Sequence, residues 1–169
     1  LNQGLLAQAV DMGATGSTDI AFSVKGAPTK TVGAIVNLPV NMAISVRNDI
    51  RSADQLKGKR IGISQSGTLT YWLARGLARV QGWGPDGVTT VPVGGVVANQ
   101  VAALVTGQVD ASAFDASVGL VLAEQKRGRV LLTAQDFAPD LMTNSLIAHD
   151  DLIKMRPEVL KRFLKGWYE

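Results

Sequence analysis

Lys59-Arg60-Ile61-Gly62-Ile63-Ser64-Gln65-Ser66-Gly67-Thr68-Leu69-Thr70-Tyr71-Trp72-Leu73 is the stretch on which the fold turns. Arg60 to Ser64 alternates apolar and small residues, as a buried strand does. Beyond it, Leu69, Trp72, Leu73, Gly76, Leu77 and Val80 fall at helical spacing, while Arg75 and Arg79 fall off that stripe. The order is therefore strand, hydroxyl- and glycine-rich turn, helix. A helix begins with backbone N–H groups that lack intrahelical partners and with a partial positive charge. Ser64, Ser66 and Thr68 add hydroxyls, and Gly67 lets an object approach the backbone closely. Two readings stay open from the residues alone. One is a cradle for an anion or polar group; the other is an ordinary capped strand-to-helix turn.

Working outward, the 60–133 region alternates. Strands are predicted at 60–64, 88–93, 109–114 and 129–133, with helices at 68–81, 96–106 and 116–127. Such alternation argues for a parallel sheet with crossover helices. Val97, Val101, Leu104 and Val105 mark the apolar face of the second helix, and Val118, Val121 and Leu122 that of the third. Upstream, residues 1–13 read as the last turns of an amphipathic helix stopped by Gly13. Thr18 to Ser23, Thr31 to Val36 and Ala43 to Val46 read as three strands, the last two separated by Asn37-Leu38-Pro39. Ser52 to Lys59 reads as a capped helical turn. Downstream, Thr143 to Ala148 is a returning strand, Asp150 and Asp151 cap a short helix, and Pro157 opens a final one. Leu160, Phe163, Leu164 and Trp167 give that last helix an apolar stripe. The expected division is residues 1–48 as a partial first lobe with a hinge strand, 49–133 as a complete α/β lobe, and 134–169 as the hinge return with first-lobe helices.

Bulk composition narrows the function. The chain has 169 residues, 46% hydrophobic and 18% charged, with a formal net charge of +3. That is the balance of a folded, soluble protein. No apolar run approaches the roughly 18–20 residues of a membrane span. Lys161, Arg162 and Lys165 form the densest basic cluster, on the polar side of an amphipathic helix, where they read as a solvated face and not as a nucleic-acid patch. No cysteine is present, so thiol chemistry and cysteine-ligated metals are excluded.

Catalytic and nucleotide motifs fail on inspection. Gly62 and Gly67 match the two glycines of a phosphate-binding loop, but Thr68 stands at the lysine position and Leu69 at the magnesium-binding hydroxyl. Ser64 replaces the second glycine of a dinucleotide fingerprint. His149 is the single histidine, and no nucleophile elbow presents a serine to it; a structural role fits it better. Asp110 and Asp115 stand an odd number apart about a strand, on opposite faces, so they make no carboxylate pair. The expectation is a protein with no enzymatic activity, no cofactor and no metal.

Three segments carry a family resemblance. Asp54-Gln55-Leu56-Lys57-Gly58-Lys59-Arg60-Ile61-Gly62, Ala102-Ala103-Leu104-Val105-Thr106-Gly107-Gln108-Val109-Asp110-Ala111 and Pro157-Glu158-Val159-Leu160-Lys161-Arg162-Phe163-Leu164-Lys165 resemble, in order and spacing, the corresponding segments of type 2 periplasmic binding proteins. The branch they resemble serves sulfonate, nitrate, taurine and thiamine-precursor import. Asp11 to Phe22 and Lys25-Gly26-Ala27-Pro28 resemble part of its first lobe.

The resemblance implies an α/β fold of two lobes, each with a central, mostly parallel sheet flanked by helices. It also implies that the first lobe is incomplete here, with an N-terminal unit of the family absent. A small anionic or polar ligand would lie between the lobes, captured by hinge motion near 40–48 and 134–147. Its implied contacts are Ser64, Ser66, Gly67, Thr68 and Tyr71, then Phe114 and Asp115 at the end of a strand. Ser23 at a strand end, Asn41 near the hinge and Asn144 on the return strand would complete the set. Capping of the following helix is the expected role of Asp115, with reading an amine or hydroxyl of the ligand as the alternative. The implied partners are the permease and ATPase of an ABC importer, without nucleic acid. Periplasmic or lipid-anchored extracellular placement follows, with the signal peptide outside this sequence. An incomplete first lobe leads to the expectation of a dimer or a swapped element. Two other functions share the fold: an enzyme of pyrimidine or thiamine-precursor synthesis, and the ligand-sensing domain of a transcription regulator.

Overall fold

A computed structural model describes residues 2–36 and 41–169. Asn37-Leu38-Pro39, expected to separate two strands, lies outside the described residues. The chain divides into two compact units, one of Leu1–Asn37 with Met142–Glu169 and the other of Leu38–Leu141.

The first unit carries α1 (Asn2–Leu6), β1 (Met12–Gly16), α2 (Ile20–Val24), β2 (Thr29–Val36), β8 (Asn144–His149), α6 (Asp150–Met155) and α7 (Pro157–Tyr168). Its three-stranded sheet has the order β1-β8-β2. Both outer strands run antiparallel to β8, with Met12 opposite Ala148 and Thr29 opposite His149. Ala148, Leu152 and Leu160 form its core on the α6–α7 face, joined by Met12, Val32, Ile153 and Leu164. The Tyr168 hydroxyl donates to Ala34 O at 3.0 Å, fixing the end of α7 against β2.

Three expectations fail in this unit. The N-terminal helix is confined to α1, and Met12–Gly16 is a strand. Thr18 to Ser23 is a helical turn leading into α2, not a strand. The segment pairs with neither outer strand of this sheet. Its backbone satisfies itself locally instead, and Thr15 hydrogen-bonds Asp19 across the turn. This sheet is also antiparallel where a mostly parallel one was implied.

The second unit carries β3 (Met42–Val46), β4 (Arg60–Ile63), α3 (Leu69–Val80), β5 (Thr89–Pro92), α4 (Val97–Val105), β6 (Ala111–Asp115), α5 (Ala116–Glu124) and β7 (Arg129–Thr133). Its five-stranded sheet has the order β5-β4-β6-β3-β7. The expected parallel pairing holds across β5-β4-β6. It gives way at β3, which lies antiparallel between β6 and β7 and makes the sheet mixed. Thus β3, read from sequence with residues 1–48, is an inner strand of the second sheet.

Period-two alternation sorts the side chains into two cores. Ile44, Val46, Ile61, Ile63, Ala111 and Ala113 meet Leu73, Ala74, Leu77 and Ala78 of α3. On the opposite face, Phe114 and Val109 meet Ala103, Leu104 and Leu122 of α4 and α5. The buried side of α3 is rotated from its expected stripe. Thr70, Ala74 and Ala78 face inward, whereas Val80 is 60% exposed. Small residues every fourth position bring this helix close to the sheet, and that proximity outweighs the hydropathy of Val80.

The amino end of this sheet is tied by charge. Arg60 at the start of β4 donates to Asp110 from its backbone N–H at 3.0 Å and from Nε at 3.2 Å. Arg47, just beyond β3, lies 3.7 Å from the same carboxylate. Burial pushes the Asp110 carboxyl upward, but the Arg60 hydrogen bonds and the two guanidinium charges outweigh it and hold the group below its ordinary 3.8. A depressed folded value contributes stability that is fully present above the unfolded value and is lost as pH falls through the folded one. Urea melts of the parent are therefore expected to weaken as pH drops below about 4. Asp110→Asn is expected to cost about 1–2 kcal/mol at pH 7, since the partner guanidinia are partly solvated, and to flatten that acid dependence. An unchanged acid profile in the variant would remove this tie from the account.

Candidate functional site

The carboxyl ends of β4, β5, β6 and β7 and the amino end of β3 lie along one edge of the second sheet. Met42 stands opposite Asp115 and Ala43 opposite Thr133, so Asn41 belongs to this edge. Val93 N–H donates to Ile63 O at 2.9 Å and Gly94 N–H to Ser64 O at 3.2 Å, which brings the turn after β5 beside the turn after β4. Helices α3, α4 and α5 all begin here, so three partial positive charges gather at one place. The carboxyl edge of parallel strands is where open α/β sheets take ligands.

The turn after β4 is built on hydroxyls. Ser64 Oγ lies 2.9 Å from Thr68 Oγ1 and 2.8 Å from Thr70 Oγ1, and the two threonine oxygens are 3.0 Å apart. Thr70 Oγ1 also accepts from the Ser64 N–H at 2.9 Å. Thr68 donates to Gln65 O at 2.7 Å. One hydroxyl proton is thus committed outside the trio, and two protons serve the three contacts within it. One hydroxyl can therefore turn to an incoming acceptor at the loss of a single internal bond. Thr68 stands at the N-cap of α3 without capping it through its side chain, so the first-turn N–H groups of α3 keep their donor capacity. Val96 at the N-cap of α4 likewise supplies no side-chain cap. Ser66 and Gly67 are exposed on the turn, and Gly67 has φ +80° with open space where a side chain would project.

Other predicted residues fall differently. Asp115 caps α5, accepting from Ser117 N–H at 2.9 Å and Ser117 Oγ at 2.6 Å. Phe114 is 2% exposed within the α4–α5 core, so its ring packs the scaffold. Tyr71 is half-buried against the α3 core. The Asn41 Oδ1 is buried with no hydrogen-bond partner, leaving an acceptor unsatisfied at the edge. The edge thus unites Ser64, Ser66, Gly67, Thr68, Asp115 and Asn41. Ser23 and Asn144 belong to the first unit. Ser23 lies on α2, not at a strand end, and its Oγ is 2.7 Å from Thr29 Oγ1. Asn144 opens β8, half-buried opposite Gly16 and Val36.

Two contributors escaped the sequence reading. Thr70, the hub of the hydroxyl trio, lay off the apolar stripe expected for this helix and next to it. Gln100 is 4% exposed and donates to Gly94 O at 3.1 Å, pinning the turn after β5. A glutamine amid the apolar face of α4 was its signal. His149 is 5% exposed, and its Nδ1 accepts from Asp151 N–H at 3.1 Å at the start of α6. Among the described residues no group of three or more His, Asp or Glu side chains gathers as a metal site. No helix there is long and apolar enough to cross a membrane.

Two α/β units, the first made of residues 1–37 with 142–169 and the second of residues 38–141, make the fold of periplasmic binding proteins. The chain is similar to the alkanesulfonate-binding protein SsuA from Xanthomonas axonopodis pv. citri bound to MOPS, with a TM-score of 0.76 and 24% identity, over 97% of this chain and 56% of that one. It is similar to the periplasmic aliphatic sulphonate binding protein SsuA from Escherichia coli, with a TM-score of 0.73 and 23% identity, over 96% and 52%. A binding protein component of an ABC phosphonate transporter from Pseudomonas aeruginosa follows at 0.69 and 18%, over 96% and 58%. At these identities the likeness is one of fold, and the chain spans about half the length of these structures. The chain belongs to the NMT1/THI5-like family, whose model matches residues 2–168. A comparison with curated protein sequences finds no match.

Proposed function

We propose that this chain is the solute-binding part of an ABC-type importer and takes a small anionic or polar organic solute, such as a sulfonate, taurine or nitrate. The observation that carries the reading is the pair of uncapped helix starts, α3 and α4, at one sheet edge beside an exposed glycine turn. Backbone N–H groups and helix dipoles there favour an anion. The orphaned Asn41 Oδ1 favours a solute that also carries a donor, as taurine does. Two of the similar structures are sulfonate-binding proteins by name, which supports the same class. The solute is held and released without chemistry. The single histidine serves as a helix cap in the first unit, which suits a receptor better than an enzyme.

Capture draws the two units together by rotation where the chain passes from one to the other, ahead of β3 and ahead of β8. The receptor works on the outer side of the cytoplasmic membrane, with a permease and an ATPase as partners. Exposed Phe22, Val24 and Met155 on the first unit support its coverage by a second copy or by further polypeptide. Isothermal titration with taurine, methanesulfonate, nitrate, aromatic carboxylates and pyrimidine precursors tests the reading. Saturable binding of at least one anion is expected, weakened when Gly67→Val closes the turn. Heat-silent titrations with every compound would overturn it. Small-angle scattering with and without the bound solute reads the closure as a smaller radius of gyration.

A further inference from the structure

We propose that the far end of α3 is a docking surface for an acidic protein segment carrying an apolar anchor. Arg79 and the Gly82–Pro85 turn stand at the opposite end of α3 from the solute edge, and the inference does not depend on that reading. Arg75 and Arg79 stand four residues apart and so share one face of α3. Among the described residues neither has a hydrogen-bonding side-chain partner or an ion pair. Arg47, Arg60 and Arg156, by contrast, are each paired to an aspartate. Like charges at this spacing repel and weaken the helix. The helix dipole favours Arg79 in the last turn but fades before it reaches Arg75.

The arginines border two open grooves. One, of about 520 Å³, lies between the two guanidinia and the Gly82–Pro85 turn. Gly82 and Gly84 both have positive φ, 68° and 77°, which folds that turn tightly, and neither carries a side chain into the groove. The other, of about 440 Å³, is lined by Trp72, Gly76, Phe137 and Leu141 and shares Arg79 with the first. Gly76 leaves its floor open: a Cβ there would meet Trp72 at 3.7 Å and Phe137 at 3.8 Å. Asp140 stands on the rim of this second groove. It repels carboxylates toward the glycine side, and the orientation follows: acidic side chains meet Arg75 and Arg79, and an apolar side chain enters the Trp72–Phe137 slot.

Arginine and tryptophan beside an apolar slot are the residue types that dominate binding energy at protein interfaces. A small ion spans only the guanidinium pair and leaves the slot unused. A polypeptide carrying both groups spans both grooves.

The test is fluorescence anisotropy of the labelled peptide Asp-Glu-Glu-Leu-Phe-Glu-Glu on the intact protein. Its affinity is expected to fall about tenfold or more in the paired variant Arg75→Gln/Arg79→Gln, and to fall with added salt. A peptide with glutamine at every acidic position, or with Gly-Gly in place of Leu-Phe, is expected to bind more weakly than the parent peptide. Thermal melts of the paired variant are expected to match or exceed those of the parent, since a repulsion is removed. Equal peptide affinity in parent and variant overturns the proposal, as does failure of the acidic peptide to bind. Competition by inorganic sulfate at equal concentration, with no contribution from Leu-Phe, overturns it in favour of a simple anion site.

Discussion

Gly119→Ala is expected to destabilise the second unit by about 2 kcal/mol, and Gly119→Val by more. In α5 a glycine-to-alanine change would otherwise stabilise the helix by about 1 kcal/mol. The sign reverses because α5 lies on β3 and β7 at this residue. A Cβ at Gly119 would collide with Ser45 Oγ and stand 2.6 Å from Val130 Cγ2. Both atoms belong to short side chains on strands, and neither can swing away as the tip of a lysine would. The collision is therefore met by lifting the helix, which opens the core around Leu122. Urea unfolding of the two variants reads the effect. Gly119→Ala combined with Ser45→Gly should recover part of the loss, because the two residues share one contact. Stabilisation by alanine alone would mean that α5 does not seat this closely.

Thr70→Val carries the second large effect. Valine keeps the shape of threonine but removes the oxygen that accepts the Ser64 N–H and stands within 3.0 Å of both Ser64 Oγ and Thr68 Oγ1. Thr70 is 9% exposed, so water cannot fully replace the lost partner. The expected cost is about 2 kcal/mol in stability. The turn after β4 then loses the anchor that holds its exposed glycine in place. Affinity for whichever anion the titrations identify should fall about tenfold, a change of about 1.4 kcal/mol. Thr70→Ser keeps the oxygen and should restore affinity while giving up only a methyl contact. If Thr70→Val binds the anion as well as the parent, the hydroxyl trio is scaffold alone and the helix starts act without it.

The elements between Arg60 and Thr133 were legible because each is short, periodic and bounded by its own turn residues. Strand β7 coincides with its expected span, and α3 differs by one residue at each end. Where pairing is distant, the local signal misled. Met12–Gly16 contains two glycines and one β-branched residue, yet it is a strand because β8, more than a hundred residues away in the chain, offers it a ladder. Thr18 to Ser23 carries better strand residues yet joins no ladder. At the candidate site, the chemistry of Ser64 and Thr68 was readable from their hydroxyls. The direction of Phe114 was not: alternation fixed that it opposes Ala113, but only the placement of α4 and α5 decides that its side is core. Likewise Thr70 looked like one more position on a helix face until the turn folded back onto it.

The position of β3 has a consequence for synthesis. This strand leaves the ribosome long before β6 and β7, the neighbours that sandwich it. At ordinary elongation rates the wait is on the order of several seconds. Through that interval Ala43, Ile44 and Val46, all fully buried in the finished protein, have no partner within the nascent chain. The first unit waits longer still, since β8 joins β1 to β2 only after the whole of the second unit has been made. The second unit is thus expected to close first and the first unit last. A holding chaperone that recognises short aliphatic strands would find its target in residues 42–46.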